Sequence, residues 1–473
     1  MMKQLKARIQ FIFFVLIIIP VTSIGADNNY QDFLVGGRAI GLGGAFTATA
    51  NDVTSLLYNP AGLSFVESTS AQLSTSLYGI ERGSLEEFSS VLFDDYGNIR
   101  VDLSDVTVVP SSAGAVRTLG RTPWGTNHSL AFGLLVPSYR TSSLSSRAPV
   151  DEDGQSSSYV RRTTDRELWS AVGYGLEINP KLRVGVAGYY IFRSMVDTEE
   201  ASISEASIQN GGIGRFALTS SEVTVSSGSL LLGAGAHWQP SPRVRFGLFA
   251  SLPSTAVHSE GAIRTVRSGA YTRCPTSVPC TEEEQVLEPF FEERDVSDLG
   301  SGFGIAPMVR LGFAYEKPRW FLLAADVVYY GAIDYALLRD SKAQSVPENF
   351  VPFSNTIQRR AVVNFHLGAE YWILPDVTVS GGIFSNRSTA PDVPNNPLAD
   401  ALAQIDMYGL SFSTSYTDGR STTWIGAMYS YGLGEDVIAT NVFDQALESQ
   451  VRYERIELTR SYIYFFLASS LDL

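Results

Sequence analysis

Several groups of residues in this chain have the types and spacing that chemistry uses. His366 stands near Asn364 and Glu370, a polar set that could serve acid–base work. His128 and Ser129 are adjacent, which raises ester hydrolysis, but no Ser-His-acid arrangement can be assembled around them. Gly41-Leu42-Gly43 begins a nucleotide-loop pattern, yet Phe46 occupies the third glycine position and no Walker lysine follows. Cys274 and Cys280 flank Pro275-Thr276-Ser277-Val278-Pro279, and in an oxidising compartment such a pair reads as a loop-pinning disulfide rather than a catalytic one. Glu282-Glu283-Glu284 and Glu292-Glu293 could gather Ca²⁺ beside lipopolysaccharide phosphates, although acidic runs more simply read as solvated loop. The four histidines include no pair at metal-ligand spacing, so no metal site is expected. None of these sets composes an enzyme, and no cofactor is implied.

Composition points the same way. The 473 residues are only 18% charged, below the roughly 25% of soluble domains, and carry 26 Phe and 22 Tyr that argue against disorder. A net charge of −14 excludes a nucleic-acid partner, for which a basic face would be needed. Lys3, Lys6 and Arg8 precede the apolar run from Phe11 to Ile19, closed by Pro20. A basic n-region before so short an apolar segment is a secretory signal, expected to span residues 1–26.

The elements that must position everything else are strands. Val363, Phe365, Leu367, Ala369 and Tyr371 alternate with Asn364, His366, Gly368 and Glu370, and residues 182–192 and 243–251 alternate likewise. Tight turns fall at Arg121-Thr122-Pro123, Asn179-Pro180-Lys181, Gln239-Pro240-Ser241-Pro242, Lys317-Pro318-Arg319, Leu374-Pro375-Asp376 and Thr417-Asp418-Gly419. Long polar stretches separate the hairpins, near 80–110, 138–166, 197–227, 253–302, 335–359, 387–405 and 432–452. Strictly alternating short and long connections are unusual in soluble domains and regular in outer-membrane barrels. Six hairpins, a first strand from about Ser70 to Gly79 and a last one ending near Leu471 predict an all-β, 14-stranded antiparallel transmembrane barrel over 67–473. Ile463, Phe465, Leu467, Leu471 and Leu473 share one face of the last strand, as in the C-terminal signal read by the outer-membrane assembly machinery. In such a barrel, His366, Asn364 and Glu370 read as polar lumen lining.

Residues 27–66 do not read as strand. Gly36, Gly37, Gly41, Gly43 and Gly44 permit close backbone approach and positive φ. Asp52 or Thr54 could cap a short helix over 55–58, ended by Asn59-Pro60. A compact, glycine-rich segment before the first strand suits a plug within the lumen.

GGRAIGLGGAF followed by NDVTSLLYNPAGL, over about Val35 to Phe65, resembles the N-terminal hatch of the FadL family, outer-membrane transporters of long-chain fatty acids and other hydrophobic compounds. The segment LGAEYWILPDVTVSGGIF and the turn pattern extend that resemblance along the chain. It implies a hatch whose gating element is Asn59, Pro60, Ala61 and Gly62 with Gly41, Gly43 and Gly44. It implies an N-terminus, here Asp27 to Tyr30, lodged in an apolar pocket until ligand displaces it. It also implies sideways exit through a kink in the third strand, about His128 to Pro137, where Gly133 is the candidate. Phe33, Phe46 and Leu57 would touch ligand or pack the plug, and Phe88, Phe93, Phe290 and Phe291 would line a first capture groove in the long loops. A ligand carboxylate would want an arginine, and thirty arginines leave its identity open.

The function expected is passage of long-chain fatty acids or similar hydrophobes across the bacterial outer membrane by diffusion, with lipopolysaccharide and lipids as surroundings. Uptake of aromatic or alkane hydrocarbons by the same mechanism is the first alternative. A non-transporting barrel that anchors a secretion or surface-attachment complex is the second.

Overall fold

A computed structural model describes residues 29–74, 77–85, 101–109, 112–148, 155–205, 215–273, 286–346, 355–395, 403–440 and 452–473. Phe88, Phe93, Asp27, Cys274, Cys280, the run Glu282-Glu283-Glu284 and the expected signal segment lie outside them.

Fourteen antiparallel strands form a closed barrel. They are β1 (Ser70–Ser74 and Leu77–Leu85), β2 (Val101–Val109 and Ser112–Arg121), β3 (Asn127–Ala148) and β4 (Gln155–Asn179). β5 (Leu182–Glu205), β6 (Arg215–Ser241) and β7 (Val244–Ser251 and Thr255–Arg273) follow. Then come β8 (Val286–Ser301 and Met308–Lys317), β9 (Phe321–Tyr330), β10 (Thr356–Arg359 and Val362–Leu374) and β11 (Val377–Asn386). β12 (Gln404–Asp418), β13 (Ser421–Thr440) and β14 (Arg452–Asp472) complete the wall. Closure pairs β1 with β14, Ser70 opposite Asp472 and Tyr78 opposite Phe465, which leaves no free outer edge at the chain ends. No helix among the described residues is long and apolar enough to cross a membrane; the strands are the spanning elements.

Alternation is inverted relative to a soluble sandwich. Phe365 and Leu367 on β10 are 55% and 51% exposed, while Asn364, His366 and Glu370 between them are buried. An apolar outer face and a polar inner one are what a lipid surround requires. The six tight turns fall where the sequence placed them. The long polar stretches, however, are not simply loops: β3 runs on to Ala148, β5 to Glu205 and β7 to Arg273. Above the hydrocarbon layer both faces of a strand meet water, so the apolar signal vanishes while the backbone ladder continues.

Residues 29–66 lie inside the barrel, toward the short-turn end. They form α1 (Gly37–Gly41), α2 (Ser55–Tyr58) and a 3₁₀ turn (Pro60–Phe65), and their apolar side chains make up much of the buried core. The expected cap is different in detail: Thr54 precedes α2 without a side-chain bond to it, and Asp52 Oδ1 instead accepts from Thr54 N at 2.8 Å.

Candidate functional site

The inner segment divides at Gly36. Its body, 36–66, sits on bare wall. Gly312 on β8, Gly368 on β10 and Gly185 on β5 face inward where the body crosses them, and a Cβ on Gly312 would come 2.7 Å from the Ala48 nitrogen. Side chains there would hold the two backbones apart, so glycine in the wall is what allows the seating. Gly43 reciprocates from the body, with φ of 62° and 2.9 Å between an added Cβ and the Ile383 nitrogen.

Polar groups then fix the register. Asn59 Nδ2 donates to Thr47 O at 2.9 Å and to Ala236 O on β6 at 3.0 Å, and its Oδ1 accepts from Ala61 N at 3.1 Å. The His366 ring donates from Nδ1 to Gly43 O at 2.8 Å, and His237 from Nε2 to Ala48 O at 2.7 Å. A carbonyl only accepts, so each ring is held as a donor on that nitrogen. Arg38 makes a two-pronged pair with Glu370 at 3.0 and 3.1 Å. Asp326 Oδ2 accepts from Phe46 N, Thr47 N and Thr47 Oγ1 at 3.0, 2.9 and 2.6 Å. His366, Asn364 and Glu370 therefore form no acid–base set: each bonds a different partner.

The strap ahead of this body, 29–35, is held otherwise. Tyr30 stacks on Tyr330 with ring centres 4.5 Å apart and donates its hydroxyl to Gly331 O at 3.2 Å. Burial pushes its phenol up to about 12, so it stays a donor at physiological pH. Asp32 accepts from Arg140 Nε at 2.7 Å and from Ser138 Oγ, and its amide donates to Pro137 O at 3.2 Å.

Under the strap lies an apolar pocket. Leu57, Trp169, Tyr189, Leu231, Phe249, Ile305, Met308 and Tyr330 line it, together with Pro137 and Arg310. With Tyr30 and Gln31 also in its wall, the free space is about 40 Å³, room for water and not for an acyl chain. Arg310 is 2% exposed, lies 4.7 Å over the Tyr58 ring, interacts electrostatically with the buried Asp326 carboxylate, and among the described residues makes no hydrogen bond through Nε or Nη2. A buried guanidinium left with unmade hydrogen bonds is expensive unless something else completes it.

The wall beside Pro137 is interrupted. The β3–β4 ladder shifts between Leu135 and Ser138, the mark of a bulge, and β2 pairs with β3 only from Arg121 opposite Asn127 up to Ser112 opposite Leu135. Above that point, among the described residues, Val101–Val109 pairs with β1 and has no ladder to β3. The irregularity expected at Gly133 thus falls at Val136-Pro137; Gly133 itself makes room for Leu56.

Of the residues singled out from sequence, Leu57 lines the pocket. Phe46 packs edge-on against Tyr58, and Phe33 packs against Tyr464. Phe291 is 69% exposed and Phe290 half-buried on the upper part of β8, away from the pocket. Asn59, Pro60, Ala61 and Gly62 clasp the wall and touch no pocket residue by hydrogen bond. Arg310 was not distinguishable among thirty arginines; an arginine at an inward position of a strand is the one signal that marked it.

No family model matches the sequence, and no curated protein sequence does. Solved structures do. A Pseudomonas aeruginosa FadL homologue aligns at TM-score 0.57 and 14% identity, covering 94% of this chain and 99% of its own. The P. putida toluene transporter TodX aligns at 0.55 and 15%, covering 96% and 99%. The Ralstonia pickettii toluene transporter TbuX aligns at 0.51 and 12%, covering 94% and 99%. Over nearly its whole length, the chain has the fold of the FadL-type barrels.

Proposed function

We propose that this chain carries long-chain fatty acids, or amphiphiles of the same kind, across the outer membrane through the pocket beneath the strap. The observation that carries the reading is Arg310, a buried cation with unmade hydrogen bonds on the wall of an otherwise apolar cavity. A fatty acid satisfies both halves of that site. Its carboxylate completes the guanidinium, and each CH₂ taken from water contributes about 0.8 kcal/mol.

The fixed seating of the body closes the axial route, so the path runs sideways. Ligand displacing Tyr30 and Gln31 pulls on Asp32, which is tied to Pro137, Ser138 and Arg140 at the β3 bulge. Removing the strap thereby frees the gap between β2 and β3 next to the pocket. The five aromatic rings around the cavity favour a second reading, uptake of aromatic hydrocarbons, and two of the similar solved barrels are named toluene transporters.

Arg310→Leu separates the two readings. Oleate binding to the purified barrel is expected to weaken at least tenfold, since a charge-assisted bond contributes roughly 1.5–3 kcal/mol and 1.4 kcal/mol is a factor of ten. Toluene binding should hold or improve. Equal oleate affinity in both proteins would remove the acid reading and leave the hydrocarbon one.

A further inference from the structure

The wall has a second interruption, between β7 and β8. Below it Val244–Ser251 pairs with Met308–Tyr315, ending with Ser251 opposite Met308. Above it the ladder resumes with Gly261 opposite Leu299 and, after a register shift, continues from Ile263 opposite Val296, twelve residues along each strand from the last pair below. The shift restores the register held below, so the two strands span the gap with equal lengths; one strand has left the wall and returned.

The strand that leaves is β8. Residues 301–306 are all buried, and Gly302 and Gly304 let them press against Ala336 and Ile333 inside the barrel. Two hydrogen bonds still link this excursion to β7, Ser254 N to Ile305 O at 3.0 Å and Ile305 N to Ser254 Oγ at 2.8 Å. β7 stays in the wall. Thr255 to Glu260 pair with β6 on one side and, among the described residues, have no ladder on the other. Leu252 and Val257 along this stretch are 62% and 55% exposed.

What lies on either side of the seam gives it a use. Inside, Ser251, Ile305 and Met308 are pocket wall. Outside, an apolar groove of about 580 Å³ on the lipid-facing surface runs from Leu130 past Val186 and Leu232 to Leu252, and Ser251 borders it as well. Ser251 therefore separates a membrane-facing groove from the ligand cavity at the point where the barrel ladder fails. A closed ladder has every backbone group paired across it and passes nothing; an interrupted one joined across the seam by two hydrogen bonds is the easier place to open, although Gly302 N to Leu337 O and Gly331 N to Pro307 O hold the inner side of the excursion.

We infer that the β7–β8 seam is a second lateral port, through which an acyl chain already dissolved in the bilayer reaches the pocket, with residues 302–307 as its door. This rests on the fatty-acid reading of the pocket. The groove supplies a continuous apolar track for the chain, and Arg310 lies farther in to receive the carboxylate.

The test is a lock across the door. Ser254→Cys with Ile305→Cys, in a Cys274→Ser, Cys280→Ser background, would be oxidised in lipid nanodiscs and loaded with cis-parinaric acid dissolved in the bilayer. Quenching of tryptophan fluorescence reports arrival, Trp169 being in the pocket wall. The oxidised protein is expected to load at least tenfold more slowly than its reduced form while reaching the same final occupancy. Leu252→Glu, which places a charge where groove meets seam, should slow bilayer loading similarly and leave binding from water to amphipol-held protein unchanged. Equal loading rates in the locked, reduced and Leu252→Glu proteins overturn the port and leave the pocket reading standing. Failure of the unaltered protein to bind parinarate by either route would remove the pocket reading and the port with it.

Discussion

The body of the inner segment and the strap before it belong to one continuous stretch of chain, yet they are attached to the barrel by different physics. The body rests on wall positions that carry no side chain, so its contacts are backbone against backbone, backed by buried hydrogen bonds from Asn59, His237, His366 and Asp326. The strap is held by side chains at the boundary of a cavity: a stacked phenol, a carboxylate shared between Ser138 and Arg140, and the amide of Asn386. Each can exchange its partner for water or for ligand, at a net cost of about 1 kcal/mol for the neutral contacts and roughly 1.5–3 kcal/mol for the charged one. The difference teaches where to look for gating. Within one continuous segment, the first residues are held by exchangeable side-chain contacts and the rest by close backbone seating.

Three substitutions would break or sharpen that contrast. Gly312→Val attacks the seat itself, where the new side chain meets the Ala48 backbone. Overpacking costs roughly 1–3 kcal/mol and more where the neighbour is backbone, so this variant should show the largest fall in the temperature of barrel unfolding on a heat-modifiability gel. A barrel as heat-stable as the parent would mean the body is not seated as described. Asn59→Ala leaves Thr47 O, Ala236 O and Ala61 N without their partner. At roughly 1–3 kcal/mol for buried groups left unpaired, it should expose the inner segment to protease while the barrel stays folded. Asp32→Ala loosens the strap and leaves the seat of the body intact, so it should lower the temperature of barrel unfolding least and affect transport most. With Ser138 Oγ and Arg140 Nε released from Asp32, and Arg140 Nη2 still on Asn29 O, oleate loading should speed several-fold. A slower rate would place the strap's role in binding rather than in closure.

Much of the molecule was legible before any coordinates. Alternation around Phe365 and Leu367 marked the outward face, and the six proline- or glycine-bearing turns marked one end of the barrel. The glycines between Gly36 and Gly44 marked a segment made for close approach, and they do approach the wall closely. The failures have physical reasons. Strand lengths beyond the hydrocarbon layer were underestimated because a strand wet on both faces carries no periodic signal. The family resemblance implied a kink in the third strand with Gly133 as its candidate, whereas proline at 137, unable to donate to a ladder, made the break instead.

The sequence by itself determined the barrel, its alternation of short turns with long connections, and the presence of an inner segment, because each of these is written in local periodicity and turn chemistry. The tertiary structure alone decided the rest: that Arg310 rather than another arginine stands in the cavity wall with Nε and Nη2 unbonded among the described residues, that the strap ties Asp32 to Pro137, and that β8 leaves the wall beside Ser251. Those facts depend on which residues face one another across the lumen, and a period of two fixes the face a side chain points to without fixing what it will meet there.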